Sequence, residues 1–312
     1  MTSLMRHVLL WFSRNDWLRE RLPRFRFMRR AVGRFMPGED VDAALAAAVP
    51  LQEAGIGSMY TRLGEHLTHL DEAEGVAAHY LDVLDRIVAS GIRGEISVKP
   101  TQLGLDLDPE TTLRHVERIA ARAAEVGSYM WIDMEGSAWC EATIRLYERL
   151  RETQPRTGVC LQSYLRRTAA DVERLLPLGP SIRLVKGAYD EPASIAFRSR
   201  AEVDANFLAV AAALLRAGRD HPDRPVRLSL GTHDVGLIDR TAEHAAALGL
   251  GRDAFRVEML FGIRVAEQSR LARDGFPVTT LIAYGTAWYP WYMRRLAERP
   301  ANVLFALRQL VP

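Results

Sequence analysis

Five polar residues stand at or near the ends of short β-type segments, where they could do chemistry together: Lys99, Asp133, Gln162, Arg183 and His233. Apolar and polar residues alternate in these segments, and a period of two sends the polar residues to one face of a strand. Burying such charges without partners costs on the order of several kcal/mol. We therefore expect a polar substrate, and with it a sizeable cofactor, to lie against this face.

Two adjacent arginines, Arg294 and Arg295, follow an aromatic run late in the chain. Glu298, four and three residues further on, could pair with one of them on a helix. Neighbouring helical residues point about 100° apart, so both guanidinium groups reach one object only if it lies on the side of the helix that faces the rest of the protein. A small carboxylate suits the pair, because guanidinium binds carboxylate through paired hydrogen bonds.

The histidines and cysteines do not indicate a metal site. His233 stands near a strand end, but other histidines, such as His66 and His115, fall in helices or loops. A metal-dependent barrel hydrolase needs several ligands on neighbouring strand ends. Cys140 and Cys160 lack metal-type spacing and are predicted to be reduced, buried thiols.

The elements that must position these residues alternate along the chain. Strands are predicted at residues 56–61, 95–101, 129–135, 158–164, 181–189, 226–233, 255–262 and 278–285. Helical segments with apolar residues three and four apart separate them. Eight such units over about 240 residues predict an α/β fold, a (βα)8 TIM-type barrel with its site at the C-terminal mouth. An open doubly wound sheet is the alternative, but the glycine-rich turn typical of that fold is missing after the first segment.

In a barrel the alternation assigns each strand residue a side. Ile96 and Val98 are expected to pack on the helices, whereas Ser97 and Lys99 point toward the barrel axis. A charged interior is unusual, because most barrels fill theirs with Val, Ile and Leu. Lys99 and Asp133 could, however, simply neutralise each other across the barrel.

Charge is distributed unevenly over the 312 residues. The net charge is +2, but residues 1–36 hold nine arginines against Asp16 and Glu20, a local charge of +7 that leaves −5 for the remainder. Apolar residues interleave with these arginines, which predicts a basic amphipathic helical arm over residues 1–45, ahead of a barrel over residues 46–312. The arm could lie on an anionic membrane surface, pack on its own barrel or join another copy. Nucleic-acid binding is not expected, because nothing beyond the arm is basic.

Several motifs, taken together, resemble the flavin-dependent proline dehydrogenase family. They are WIDMEGS, LQSYLRR, IRLVKGAYDE, GTHD and WYMRRLAERPAN. Their order and spacing match from LGEHL at 63–67 to ERPAN at 298–302, and the arm ending GRFMPGED resembles the short monofunctional bacterial members. The resemblance implies a distorted (βα)8 barrel whose last helix lies over the mouth.

The resemblance also implies which residues bind the substrate. Lys99, Arg294 and Arg295 would hold the substrate carboxylate, and Asp133 would orient the group that binds it. Glu298 would orient the last helix and its arginines.

The remaining implied roles concern the pocket wall and the cofactor. Leu260, Tyr189 and Leu281 would line the substrate pocket, and Arg183 would contact the flavin near its N5 atom. The other implied cofactor contacts are Gln162, Val185, Lys186, Gly187, Ala188, Thr232 and His233.

The implied activity is oxidation of L-proline to 1-pyrroline-5-carboxylate, by hydride transfer to flavin N5. FAD is the expected cofactor, with FMN as the alternative, and the electrons would pass to a membrane quinone. The expected location is the cytoplasm, with peripheral contact at the inner face of the cytoplasmic membrane. This chemistry needs no nucleophile, since the cofactor carries the difficult step and the protein supplies orientation.

Two positions depart from the family pattern. A tyrosine usually stands four residues before the glycine of the last strand, where this chain has Leu281. The first strand usually ends with an aspartate, where this chain has Thr61 and Arg62. Related enzymes acting on hydroxylated proline also change the tyrosine, so hydroxyproline or another cyclic or secondary amino acid is the alternative substrate. A barrel that binds a ligand without turnover is the other alternative.

Overall fold

The computed structural model describes residues 32–298 and, ahead of them, Trp11, Phe12, Asn15, Trp17, Arg21, Phe25 and Met28. The side chains of residues 297 and 298 are not among those described. Most of the predicted arm and residues 299–312 therefore lie outside the described residues.

Eight parallel strands close into a barrel in sequence order. They are β1 Gly57–Arg62, β2 Gly94–Val98, β3 Met130–Ile132, β4 Thr157–Gln162, β5 Ser181–Val185, β6 Arg227–Gly231, β7 Phe255–Leu260 and β8 Val278–Tyr284. β8 pairs with β1 and so completes the ring. The prediction of a closed (βα)8 barrel is confirmed, and each predicted strand segment overlaps one observed strand.

Seven of the eight predicted strands run past the observed strand ends, by one to four residues, and at two of them the cause is clear. After β2, Pro100 begins a short 3₁₀ turn, Pro100–Leu103, because proline has no N–H to donate to a sheet ladder. After β5 the chain leaves the sheet, and Gly187 takes a φ of 119°, which favours glycine. The residues that follow these strands therefore form the mouth of the barrel instead of its wall.

Helices alternate with the strands. They are α1 Val41–Glu53, α2 Asp71–Ala89, α3 Pro109–Glu125, α4 Cys140–Thr153, α5 Thr168–Leu175, α6 Arg200–Asp220, α7 Val235–Ala247, α8 Val265–Arg273 and α9 Trp288–Glu298. The Asp40 carboxylate caps α1 by accepting the N–H of Ala43 at 2.7 Å, which satisfies one of the free amides of the first turn. The predicted domain boundary at residue 45 falls inside α1, whose Ala44 and Ala48 are buried in the core of the barrel.

The strand residues face the two sides that their alternation predicts. Ile96 and Val98 are fully buried in the hydrophobic layer between strands and helices. Ser97 points the other way, where its hydroxyl lies 2.9 Å from Nη2 of Arg183 inside the barrel.

The N-terminal end of the barrel interior holds a group of charges that we call the lower network: Glu95, Arg227 and Arg256. Oε1 of Glu95 accepts hydrogen bonds from Arg227 at 2.6 Å and from Arg256 at 2.7 Å. Oε2 accepts the indole N–H of Trp131 at 2.7 Å, and Arg227 stacks on Tyr129 with 4.0 Å between guanidinium and ring centre. Both oxygens of this half-buried carboxylate are thus satisfied by protein groups.

The last helix and the end of the arm pack together. Val32, Phe35 and Met36 share an apolar cluster with Trp288 and Tyr292 of α9. At Gly262, whose φ is 72°, an added Cβ would lie 1.7 Å from the carbonyl oxygen of Arg34. Only glycine allows the arm to approach this closely.

Closer to the N-terminus, the arm has exposed large apolar side chains. Trp11 and Trp17 are each 59% exposed and Phe25 is 51% exposed. Among the described residues, no helix is both long and apolar enough to cross a bilayer.

Candidate active site

The inward residues at the C-terminal end of the barrel form a group that we call the upper cluster: Lys99, Asp133 and Arg183. Nζ of Lys99 lies 2.5 Å from Oδ2 of Asp133, and Nη2 of Arg183 contacts Oδ1 of the same carboxylate. The hydroxyl of Ser97 also donates to Oδ1, at 2.8 Å. The neutralisation of Lys99 by Asp133 that the sequence left open is therefore observed, and Arg183 joins it.

The upper cluster keeps its charges although it is buried. Burial alone would raise the pKa of Asp133, but the positive charges of Lys99 and Arg183 outweigh burial and hold this pKa below its usual value. Burial would lower the pKa of Lys99, but the charges of Asp133 and Glu65 raise it above its usual value. Asp133 is thus an ionised group that fixes two cations, and it is poorly suited to accept a proton.

A second carboxylate lies beneath Arg183. Oε2 of Glu258 is 3.5 Å from Nη1 of Arg183, and burial raises the pKa of Glu258. The guanidinium also lies 5.4 Å from the ring centre of Trp131. Arg183 is therefore held in place from several sides.

The arginine pair of α9 lies above this cluster. Arg294 makes a forked ion pair with Glu65 of the β1–α2 loop, at 2.6 Å and 3.3 Å, and its guanidinium is 5.5 Å from the ring centre of Tyr189. Arg295 lies 6.0 Å from the ring centre of Trp291. The implied role of Glu298 falls on a side chain outside the described ones.

Sequence reasoning did not identify Glu65 as the partner of Arg294. The glutamate belongs to the LGEHL segment, but 229 positions separate the two residues. No periodicity relates a loop after the first strand to a helix after the last.

Another wall of the site contains Gln162, Thr232 and His233. The side-chain nitrogen of Gln162 donates to the carbonyl of Glu135 at 2.8 Å, while its Oε1 is buried without a partner among the described residues. Nε2 of His233 accepts the N–H of Leu260 at 3.0 Å, so this nitrogen carries no proton. A ligand group with a hydrogen-bond donor would satisfy Gln162.

Beyond this wall lies a group of paired charges. Nζ of Lys186 is 2.5 Å from Asp204 and 2.9 Å from Asp234, and Arg200 lies 2.7 Å from Asp234. Sequence reasoning named Lys186 alone, because the carboxylates come from helix α6 and from the start of α7.

All these groups border one cavity of about 760 Å³, which we call the main cavity. Every predicted site residue whose side chain is described lines it: Lys99, Asp133, Gln162, Arg183, Val185, Lys186, Gly187, Ala188, Tyr189, Thr232, His233, Leu260, Leu281, Arg294 and Arg295. The structure thus brings the predicted residues together, and their individual roles stay predictions. No group of three or more His, Cys, Asp or Glu side chains in the described part of the chain could hold a metal ion.

The positions at which the sequence analysis predicts departures from the family pattern lie in different places. Thr61 and Leu281 line the main cavity, and Leu281 packs against the buried cluster of Met59 and Trp131. Arg62 is absent from that wall and lines a second, adjoining cavity.

Comparison with known proteins identifies related sequences. The sequence model of the Proline dehydrogenase family matches residues 44–308. The chain is 32% identical to Proline dehydrogenase 1 of Bacillus subtilis (strain 168), over 99% of both chains. It is 33% identical to Proline dehydrogenase of Deinococcus radiodurans, over 89% of both.

Solved structures support the fold. The chain superposes on proline utilization A (PutA) from Bdellovibrio bacteriovorus, inactivated by N-propargylglycine, with a TM-score of 0.80 and 20% identity. The match covers 95% of this chain and 36% of that one, so the chain spans about a third of the PutA length.

Proposed function

Because the chain belongs to the proline dehydrogenase family, we propose that it oxidises L-proline to 1-pyrroline-5-carboxylate with a bound flavin. It is an oxidoreductase of the kind that acts on CH–NH donors. The observation that carries the proposal is the upper cluster, which places fixed cations against the main cavity beneath the arginines of α9.

The cations of the site are suited to binding the substrate carboxylate. Lys99, Arg294 and Arg295 line the same cavity, and Asp133 orients Lys99 through the 2.5 Å ion pair. Arg294 reaches the substrate only by sharing or exchanging its bonds to Glu65. Such fixed binding orients the reacting carbon, and orientation can supply a large part of the rate enhancement.

The apolar side of the cavity would receive the substrate ring. Leu260, Leu281 and Tyr189 line it, and Tyr189 is additionally held by its contact with Arg294. A ring amino acid would therefore lie with its carboxylate toward the cations and its carbon atoms against these side chains.

The residues present fit a flavin. The unpartnered Oε1 of Gln162 could accept a ring N–H, and Val185, Gly187 and Ala188 line the cavity beside it. Thr232, His233 and Lys186 would complete the cofactor contacts, with FAD as the expected form and FMN as the alternative. When bound, the flavin supplies the acceptor for the hydride. The fixed positive charge of Arg183 would favour electron uptake by the flavin.

The electron acceptor and the location follow from the same proposal. A membrane quinone would receive the electrons from a protein in the cytoplasm. Exposed Trp11, Trp17 and Phe25, among the arginines of the arm, would make peripheral contact with the inner face of the membrane, since aromatic and basic residues favour an anionic interface. Self-association through the arm is the alternative use of this surface.

Spectroscopy of the purified protein tests the proposal. The protein should be yellow, and L-proline should bleach the flavin without oxygen, after which a soluble quinone analogue should restore the colour. Bleaching by hydroxyproline but not proline would support the alternative substrate that Leu281 suggests. Colourless protein that refuses added flavin would contradict the enzyme proposal and favour a binding protein.

A further inference from the structure

A second cavity of about 760 Å³ adjoins the main one. It lies between the β1–α2 loop, helix α2 and the β8–α9 loop, and the two cavities share Glu65, Tyr189 and Arg294. We call it the outer cavity, because its wall includes the exposed residues Glu72 and Thr286.

The ion pair between Glu65 and Arg294 stands between the cavities. The hydroxyl of Tyr189 lies 3.4 Å from Oε1 of Glu65 and reinforces it. A ligand in the outer cavity would thus lie next to the arginine that faces the substrate site.

Arg62, the last residue of β1, gives the outer cavity a distinct cation. The other basic side chains of its wall are engaged: Lys99 with Asp133, Arg294 with Glu65 and His66 with Asp106. In the part of the chain that the structure describes, the half-buried Arg62 guanidinium makes no ion pair or hydrogen bond, although the backbone N–H donates to Tyr80.

Among residues 32–298 and the few described ahead of them, no carboxylate forms an ion pair with Arg62. Nε2 of His79 lies 2.8 Å from the hydroxyl of Tyr284, and burial together with the charge of Arg62 lowers the pKa of His79 to about 4, so this ring is neutral. Glu72 of the cavity wall accepts hydrogen bonds from Thr68 and from the N–H of His69.

Asp190 is the remaining carboxylate of the wall, besides Glu65 and Glu72. It lies on the β5–α6 loop, whereas Arg62 lies at the end of β1. The wall also contains the apolar side chains of Leu67, Val76 and Pro290. A guanidinium beside apolar surface suits a small molecule with one carboxylate and a hydrocarbon ring.

We propose that the outer cavity is a second binding site for the substrate amino acid, with Arg62 binding its carboxylate before the molecule passes Glu65 and Arg294. The identity of the ligand rests on the proposed function, whereas the carboxylate chemistry rests on Arg62 and the cavity.

Kinetics test the site on the holoenzyme. Arg62→Gln should raise KM for proline about two- to fivefold, as expected for a single solvent-accessible charge contact, and leave the rate of flavin reduction at saturating proline unchanged. Arg62→Lys should keep part of the effect, because the charge remains. Arg93→Gln removes an exposed arginine at the opposite end of the barrel and should leave KM unaltered. A KM for Arg62→Gln equal to that of the wild type would overturn the proposal.

Chemical modification tests binding without turnover. Phenylglyoxal adducts at Arg62 and Arg93 are quantified by peptide mass spectrometry in the presence of L-proline or L-prolinamide, which lacks the carboxylate. Proline should slow modification of Arg62 at least about threefold, prolinamide should not, and Arg93 should react equally in all samples.

The two proposals fail separately. Bleaching of the flavin without protection of Arg62 overturns the outer site and leaves the proposed function intact. Protection of Arg62 without bleaching supports the outer site and contradicts proline oxidation. Protection by a soluble quinone analogue, but not by proline, also overturns the outer site as an amino-acid site.

Discussion

Charged side chains lie at both ends of the barrel interior, but they differ in whether they border a cavity. In the lower network Glu95 is bound by two arginines and an indole, so both carboxylate oxygens are used within the protein. In the upper cluster Asp133 is also bound by two cations, but those cations border the main cavity.

This difference separates the charges that stabilise the barrel from those that can bind a ligand. None of Glu95, Arg227 and Arg256 lines the main or the outer cavity, which agrees with the general division of (βα)8 barrels into a stabilising N-terminal end and a reactive C-terminal end. Lys99 and Arg183 use only some of their hydrogen-bond donors on Asp133, because a lysine has three donors and an arginine five. The other donors can bind a ligand in the main cavity.

The largest expected effect is on stability at the lower end. Glu95→Ala leaves the half-buried Arg227 and Arg256 without their carboxylate. The free energy of unfolding should then fall by about 3 kcal/mol, the low end of the range for breaking a buried ion pair, because water still reaches the two arginines. Urea denaturation measures it, and Glu95→Gln, which keeps an acceptor, should lose less. The kcat/KM of the folded Glu95→Ala protein should be unchanged; a large fall would mean that the two ends are not separate.

A pH-dependent loss of stability is expected from a third carboxylate, Glu135, which Thr101 binds through its N–H at 3.0 Å and its hydroxyl at 2.6 Å. Burial raises the pKa of Glu135 from 4.5 to about 7, so the folded protein holds this proton more tightly than the unfolded chain. The resulting stability is complete below about pH 4.5 and is lost as pH rises through 7.

Comparison with Glu135→Gln isolates this contribution. Between pH 5 and pH 8 the wild type should lose roughly 2–3 kcal/mol of unfolding free energy relative to the variant. Stability curves that run parallel over this range would show that Glu135 ionises normally.

At the upper end, Lys99→Met should lower kcat/KM for proline. The fall corresponds to a loss of about 1.5–3 kcal/mol in transition-state stabilisation, the range for a hydrogen bond to a charged group. Asp133 keeps Arg183 and Ser97 as partners in this variant, so folding should survive. Lys99→Arg, which retains the charge, should lose less activity. Equal activity in the wild type and Lys99→Met would mean that Lys99, like the charges of the lower network, only stabilises the barrel.

The arginines of α9 should be more tolerant of substitution. Arg294→Lys or Arg295→Lys should weaken substrate affinity by about 1–3 kcal/mol, because a point charge replaces a paired hydrogen bond. Steady-state kinetics with each variant measure the loss. Unchanged constants in both variants would mean that the pair does not contact the substrate.

The smallest effect is expected at Leu281. If proline is now the poorer substrate, Leu281→Tyr should improve its kcat/KM relative to hydroxyproline by about 1 kcal/mol, as one changed contact in a pocket wall commonly does. The ratio of the two substrates, measured on one preparation, removes errors in enzyme concentration. An unchanged ratio would show that this wall does not discriminate between them.

The barrel and its mouth could be predicted because both follow from local patterns. The two-residue alternation that turns Ser97 and Lys99 inward is a property of each strand, and the strand ends of a parallel barrel meet at one mouth. The same alternation also turns Glu95, Arg227 and Arg256 inward, so the lower network could have been found by extending the pattern to the first residues of the strands.

The pairings across the mouth could not be predicted in this way. Glu65 meets Arg294 and Lys186 meets Asp204 only because loops and helices of different units converge there. Strand lengths were overestimated for a related reason, since Pro100 and Gly187 redirect the chain where the pattern still resembles a strand.

The packing of residues 32–36 on α9 joins segments that are synthesised at opposite ends of translation. On the ribosome the arm is synthesised before the first strand, and α9 only after the eighth, so Phe35 and Trp288 cannot meet until nearly the whole barrel has been translated. The indole of Trp288 then donates to Glu39 at 3.0 Å and joins the two ends of the described chain across the mouth. The contacts that fasten the arm to α9 can therefore form only when the chain is almost fully translated.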